Sequence, residues 1–348
     1  MNIINKTKNS ILKVANTLRK NRFYTKALIH ELIVLNLDIE DILFDRKNSL
    51  GNPLKISYEK LKFFLQKIRI LKKLNSHLDK SKLNLVKFKR EKHHQDLFQK
   101  LWVNYSFKEY KKERIGRYIK RIKINNLSKK IKGKKIIDFG CGHGNFLISC
   151  KLVGAKYCLG IDYGRESIIF AKNILKKLKI DNKEINFYQK SVYNSGQKRN
   201  SFDFAIQNGV FHHLDNEIRA YKEVHRVLKS DGYFWLYTDG GGGIRDIVAD
   251  MSHKILRNID KKTIVNEIQN YGLSTNKQYH LGDMFGAEYR HTTVKEITKK
   301  LKKIGFKNFV QLNGGFKTDL DKPFVSDKFF KAKFGSGDIR LLCQKNSI

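Results

Sequence analysis

This chain is short of proline, cysteine, acidic residues and long apolar runs. There are 2 prolines in 348 residues, and no Pro-rich or Ser-rich linker or internal repeat divides the sequence. The four cysteines, Cys141, Cys150, Cys158 and Cys343, form no C-x-x-C pair. That spacing excludes a disulfide framework and the common zinc patterns, and it suits packed thiols in a reducing compartment. No stretch reaches the roughly 18 apolar residues that a membrane span requires. The start, Met1 to Lys8, is polar and lacks the apolar core of a secretory signal. These absences predict a soluble, cytoplasmic protein. Acids are few: 33 Asp+Glu stand against 71 Lys+Arg, a net charge of +38. Residues 1–135 hold 36 of the cations and 11 of the acids, so the excess is concentrated in the first part of the chain. Such a charge points to nucleic acid or an anionic surface. Yet lysine greatly outnumbers arginine, and Asn and Ile abound, which is the pattern of AT-rich coding. Arginine, the residue of bidentate base and phosphate contacts, is scarce. The charge is therefore read first as composition and second as a sign of a nucleic-acid partner.

What is present is most informative at residues 136–144, Ile-Ile-Asp-Phe-Gly-Cys-Gly-His-Gly. An apolar run ending in glycines predicts a buried strand entering a tight loop. Glycine permits loop conformations that a side chain forbids, and it lets a ligand approach the backbone. A helical pattern, Asn145 to Leu152, follows at once. Strand, glycine loop and helix form the architecture of a nucleotide-type cofactor site. The spacing is not that of a dinucleotide fingerprint. The glycines alternate, at Gly140, Gly142 and Gly144, and Asp138 precedes them. A carboxylate there repels a pyrophosphate and attracts a cationic ligand.

These residues resemble motif I of the class I S-adenosylmethionine (SAM) methyltransferases, and the resemblance continues through residues 97–348. Tyr157 to Ile161 is a second strand-like run followed by Asp162, placed about 20 residues on to accept both ribose hydroxyls. Ile185 to Tyr188 leads to Ser191 and Val192. The family often has an acid where Ser191 stands, contacting the adenine amino group. Phe202 to Gln207 ends in Asn208-Gly209-Val210-Phe211-His212-His213. Val224 to Tyr237 reads as a helix end, a Ser-Asp-Gly turn and an aromatic fifth strand. The resemblance implies an α/β, Rossmann-like, seven-stranded, mostly parallel sheet with helices on both faces and an antiparallel last strand. It implies SAM as cofactor, held by Asp138, Gly140, Cys141, Gly142, Gly144, Asp162, Tyr163, Ser191, Val192, Asn208 and Gly209.

Residues 1–95 read as a basic helical region of short amphipathic helices. The clearest is Tyr58 to Leu74, with Leu61, Phe64, Leu65, Ile68 and Leu71 on one face. Asn48 to Ser57, with Gly51 and Pro53, is the best internal break. Residues 96–348 form the methyltransferase domain, opened by an aromatic-rich helical stretch (Phe98, Leu101, Trp102, Tyr105, Phe107, Tyr110, Tyr118). The run Gly240 to Gly243 reads as a flexible joint to an insertion at about 240–292. One or two helices, Asp246 to Leu256 and Lys261 to Asn270, and a polar loop fill the insertion, which is expected to act as a lid. Thr293 to Ile304 predicts a helix, with Thr292 as its cap. Phe306 to Leu312 and Asp338 to Gln344 predict the sixth and seventh strands.

A sulfonium carries an activated methyl group, so an enzyme using it must mainly align the acceptor and, where needed, remove a proton. No dedicated catalytic dyad appears. His213 and His212, just past the fourth strand, are the candidate bases, because imidazole suits proton transfer near neutral pH. Packing on the cofactor is the alternative role for either ring. Tyr289, Arg290 and His291 are candidate grips for an anionic substrate. His280, Asp283, Glu288 and His291 match no zinc spacing, so no metal is expected. The expected activity is methyl transfer to an oxygen, nitrogen or carbon of a small molecule. The alternatives are an RNA or protein acceptor docked by the basic N-terminal region, and a SAM-binding protein without turnover.

Overall fold

The computed structural model describes residues 1–18, 22–74, 94 and 106–347. Phe98, Leu101, Trp102 and Tyr105 lie outside the described residues. The chain divides into two compact units. One comprises Met1–Leu97, Gly241–Tyr289 and Val325–Ser336; the other comprises Phe98–Gly240, Arg290–Phe324 and Gly337–Ile348.

The second unit holds one seven-stranded sheet. Its strands are β1 (Lys135–Phe139), β2 (Tyr157–Asp162), β3 (Ile185–Gln189), β4 (Phe202–Asn208), β5 (Leu228–Asp239), β6 (Phe306–Gln311) and β7 (Asp338–Lys345), in the order β3-β2-β1-β4-β5-β7-β6. The first five are parallel, and β7 runs antiparallel to both β5 and β6. β1 is apolar on both faces, as a strand covered from two sides must be. Ile136 faces a core with Phe146, Phe204 and Trp235, while Ile137 and Phe139 face a second core with Phe211, Tyr221 and Phe234. The strand order reverses between β1 and β4, which opens a crevice at the carboxyl ends of these strands. The Ser-Asp-Gly segment is not a separate turn. It lies inside β5, where Asp231 takes φ 57° and the register with β4 shifts, which is the geometry of a bulge. The helix after the insertion is Val294–Ile304, and its cap is Thr293, not Thr292: the Thr293 hydroxyl accepts from Glu296 N and the Glu296 carboxylate accepts from Thr293 N.

The first unit is helical. The N-terminal helices are longer than the expected short ones: Asn2–Leu18, Arg22–Phe44 and Pro53–Leu74. The predicted break is a tight loop, and Pro53 opens the third helix, where its missing N–H costs nothing. The helices of 241–289 pack among them. They number three, Ile244–Leu256, Lys261–Gln269 and Thr275–Gly286, so the expected polar loop is a helix as well. The glycine run serves close approach here rather than freedom. A Cβ on Gly243 would lie 2.4 Å from the Lys333 carbonyl oxygen, and one on Gly335 would lie 2.0 Å from the Gly241 oxygen. Lys333 is fully buried, with Nζ 2.9 Å from Asp327 and 2.8 Å from the Asp45 carbonyl.

Candidate functional site

The crevice is built from four parallel strand ends held in register: Phe139 lies beside Ile161 on one side and Gln207 on the other, and Asn208 lies beside Tyr237. The three glycines of the loop differ in role. A Cβ on Gly140 would lie 2.6 Å from Val210, and one on Gly144 would lie 2.4 Å from the Phe187 ring, so both glycines are required by packing. Gly142 is different. Its φ is +51°, and a Cβ there would meet nothing within 4 Å. It is the glycine that faces open space.

Two carboxylates border this loop. Asp162 accepts hydrogen bonds from Gly142 N (2.9 Å) and Gly164 N (2.7 Å), tying the end of β2 to the loop. Burial raises its pKa in spite of these bonds. Asp138 is buried, and its Oδ1 has no hydrogen-bond partner. Burial and then the Asp162 charge push it well above the usual carboxylate range. A carboxylate pair in such a state is matched by a ligand that brings positive charge and hydroxyl donors. Cys141 turns its sulfur into the core beside Gly160, and burial raises its thiol, so it is a packing residue. Tyr163 is exposed past the end of β2, and Val192 is buried. Ser191 Oγ accepts from Tyr193 N (3.2 Å), and no acid replaces it.

At the end of β4 the Asn208 amide is engaged within the fold. Its Nδ2 donates to Tyr118 Oη (2.9 Å), and its Oδ1 accepts from Trp235 Nε1 (3.3 Å). Gly209 takes φ +80°, close to the Tyr237 ring. His212 and His213 are both buried. Their Nε2 atoms are 3.0 Å apart, and His212 Nδ1 is 3.2 Å from Thr238 Oγ1. At that distance one ring must donate to the other. Arg290 N donates to the His212 carbonyl (3.2 Å), and His291 Nδ1 lies 3.9 Å from Asp239 at the end of β5. Tyr289 belongs to the helical unit, where it hydrogen-bonds Asp283, whose pKa burial raises to about 6. The Tyr-Arg-His triplet thus divides between the units.

One residue of the loop escaped the sequence reading. His143 is buried, its Nε2 has no partner, and its ring lies 4.4 Å from that of Phe170. Burial and then Arg114 lower it to about 3, so it is neutral near pH 7. Tyr110 Oη donates to its carbonyl at 2.6 Å, fixing the loop from the helical stretch before β1. Histidine within the glycine motif was the available signal.

A family model described as a methyltransferase domain matches residues 130–262. An uncharacterized protein of Methanocaldococcus jannaschii is 30% identical over 234 residues, which cover 64% of this chain and 82% of that one. The chain belongs to the class I SAM-dependent methyltransferases. It is also similar to a tRNA U34 carboxymethyltransferase of Campylobacter hominis, 29% identical over 40% of this chain and 49% of that protein. A mitochondrial ubiquinone biosynthesis O-methyltransferase of Dictyostelium discoideum is 26% identical over 36% of this chain and 41% of its own length. The chain spans less than half the length of each of the first curated relatives it matches.

The residues present fit SAM, the methyl donor of this family. The open face of Gly142 is the cradle that a Cβ would begin to fill. The unpartnered Asp138 oxygen and the Asp162 carboxylate are the acceptors that a cation carrying ribose hydroxyls would meet here.

Proposed function

We propose that this protein transfers a methyl group to an oxygen, nitrogen or carbon nucleophile of a small-molecule acceptor. The observation that carries the reading is the open glycine at Gly142, whose N–H donates to Asp162 and which follows the buried Asp138, whose Oδ1 has no hydrogen-bond partner. SAM, when bound, supplies the electrophilic methyl. The protein's own residues do the rest. Asp162 binds and orients the ribose hydroxyls, and Asp138 offers its unpartnered oxygen as an acceptor to the ligand. The His212–His213 pair follows the end of β4, and where the acceptor must lose a proton the imidazole of His213 takes it.

The high positive charge favours a second reading, in which the acceptor is RNA or protein. The relatives include a tRNA-modifying enzyme and an O-methyltransferase of a small molecule, so both acceptor classes occur among similar proteins. Incubation with methyl-labelled SAM and a cell extract, followed by separation into small-molecule, RNA and protein fractions, tests the proposal. Label in the small-molecule fraction, reduced on His213→Ala, is expected. Label confined to RNA or protein favours the second reading, and no label in any fraction overturns the assignment of turnover.

A further inference from the structure

We propose that the surface formed by residues 114–135 of the sheet unit docks the phosphate backbone of a nucleic acid. The sequence alone assigned that role to the N-terminal helices. The pairing of charges points elsewhere.

In the helical unit several lysines are met by acids. Lys60 pairs with Asp38 (2.7 Å), Lys67 with Glu31 (2.7 Å) and Lys26 with Glu267 (3.4 Å), and Lys8 pairs with Asp250. Between Arg114 and Ile137, by contrast, there are ten cations and no acid. Arg121 pairs with Asp319 at 2.6 Å, and that pair is buried. Lys120, Lys123, Lys129 and Lys132 are exposed, and none has a carboxylate partner among the described residues. Cations left unpaired within a Debye length of each other repel. A polyanion relieves that repulsion and gains the entropy of released counterions.

The geometry suits a phosphate strand. The Gly116–Ile124 helix buries Tyr118 and Ile122, while Arg117, Lys120 and Lys123 recur at three-residue steps, about 4.5 Å apart along the axis. The loop after β6 is fixed against this helix: Asn125 Nδ2 donates to the Asn313 carbonyl (2.8 Å), and Arg121 Nε donates to the Gly314 carbonyl (2.9 Å). The loop thereby holds Phe316 beside the cations, with Arg117 Cζ and Lys120 Nζ each 4.5 Å from the ring centre. A half-buried aromatic framed by cations is a platform for a stacked base. The helix has already spent its apolar face on the core, so it offers no apolar stripe to a bilayer. This favours nucleic acid over an anionic membrane. The inference does not depend on the methyltransferase reading.

The test uses fluorescence anisotropy of the full chain with a labelled single-stranded RNA, a DNA of the same sequence, and phosphatidylserine vesicles. The triple variant Lys123→Glu/Lys129→Glu/Lys132→Glu is compared with Lys55→Glu/Arg69→Glu/Lys72→Glu, which carries the same net charge. The first triple is expected to weaken nucleic-acid binding about tenfold at 0.1 M salt. It should also reduce the slope of log affinity against log salt by about 2, at roughly 0.7 per phosphate contact on a single strand. The control triple should leave both nearly unchanged. Comparing RNA with DNA identifies which backbone is preferred. Equal loss in the two triples, binding to vesicles alone, or no salt-dependent binding overturns the proposal. Glutamine at the same three positions gives the same ordering with a smaller loss if the reversed variant fails to fold. SAM calorimetry on each variant reports the cofactor site separately.

Discussion

At the scale of single residues, the site works through what its side chains lack. His143 must stay neutral to remain buried, since its pKa is lowered to about 3 in the fold against an ordinary 6.5. The unfolded chain therefore binds the extra proton between those values and the native chain does not. Stability due to this residue is complete above about pH 6.5 and is lost as pH falls toward 3, at about 1.4 kcal/mol per pH unit. Urea unfolding of wild type and His143→Gln across pH 4–7 checks this. The variant should lose stability less steeply below pH 6.5, and parallel curves would sink the claim. Much of this scale was legible beforehand. The strand ending near Asp138 and the tight loop at Gly142 were readable because alternating glycines after an apolar run predict that local structure. Asn208 shows the limit of such reading. Its amide bonds to Tyr118 and Trp235, 90 and 27 residues away, and no local pattern announces partners at that range.

At the scale of elements, strands were easier to place than the segments between them. β1, β2 and β4 are continuous apolar runs because both faces are covered, and such runs stand out in a lysine-rich chain. The connection from Leu312 to β7 had no periodic pattern, and it is held by charge instead. Arg340 on β7 contacts Asp321 and lies 3.3 Å from Asp319 and 3.1 Å from Asp338, while Arg121 reaches Asp319 from the Gly116–Ile124 helix. All five are buried or nearly so. Removing one partner leaves a buried charge uncompensated, which costs about 3–5 kcal/mol. Arg340→Ala, which removes the cation facing Asp321 and Asp338, should lower the stability of the sheet unit by that order in a denaturant titration, whereas Asp231→Ala, whose carboxylate is exposed, should cost under about 1 kcal/mol. Similar losses for the two would show that the buried network is not what anchors this connection.

At the scale of the whole molecule, the sequence predicted a sheet with helices and an insertion after β5, and the sheet stands as expected. The grouping of 241–289 and 325–336 with the N-terminal helices was not legible. Helix pairing of this kind rests on residues more than 200 positions apart, such as Asn36, which donates to Ser252 at 3.0 Å in the buried interior of this unit. Nor did composition show where the charge is neutralised and where it is left open. Among the described residues, no helix is long and apolar enough to cross a membrane. The central claim is that the crevice at the ends of β1 and β2 is a cradle for SAM, and titration calorimetry tests it most directly. Wild type should bind SAM and its demethylated product, Asp162→Ala should bind SAM about ten- to a hundredfold more weakly through loss of two charge-assisted hydrogen bonds, and Gly142→Arg should not bind it. Absence of binding by wild type, or unchanged binding by Gly142→Arg, would contradict the account.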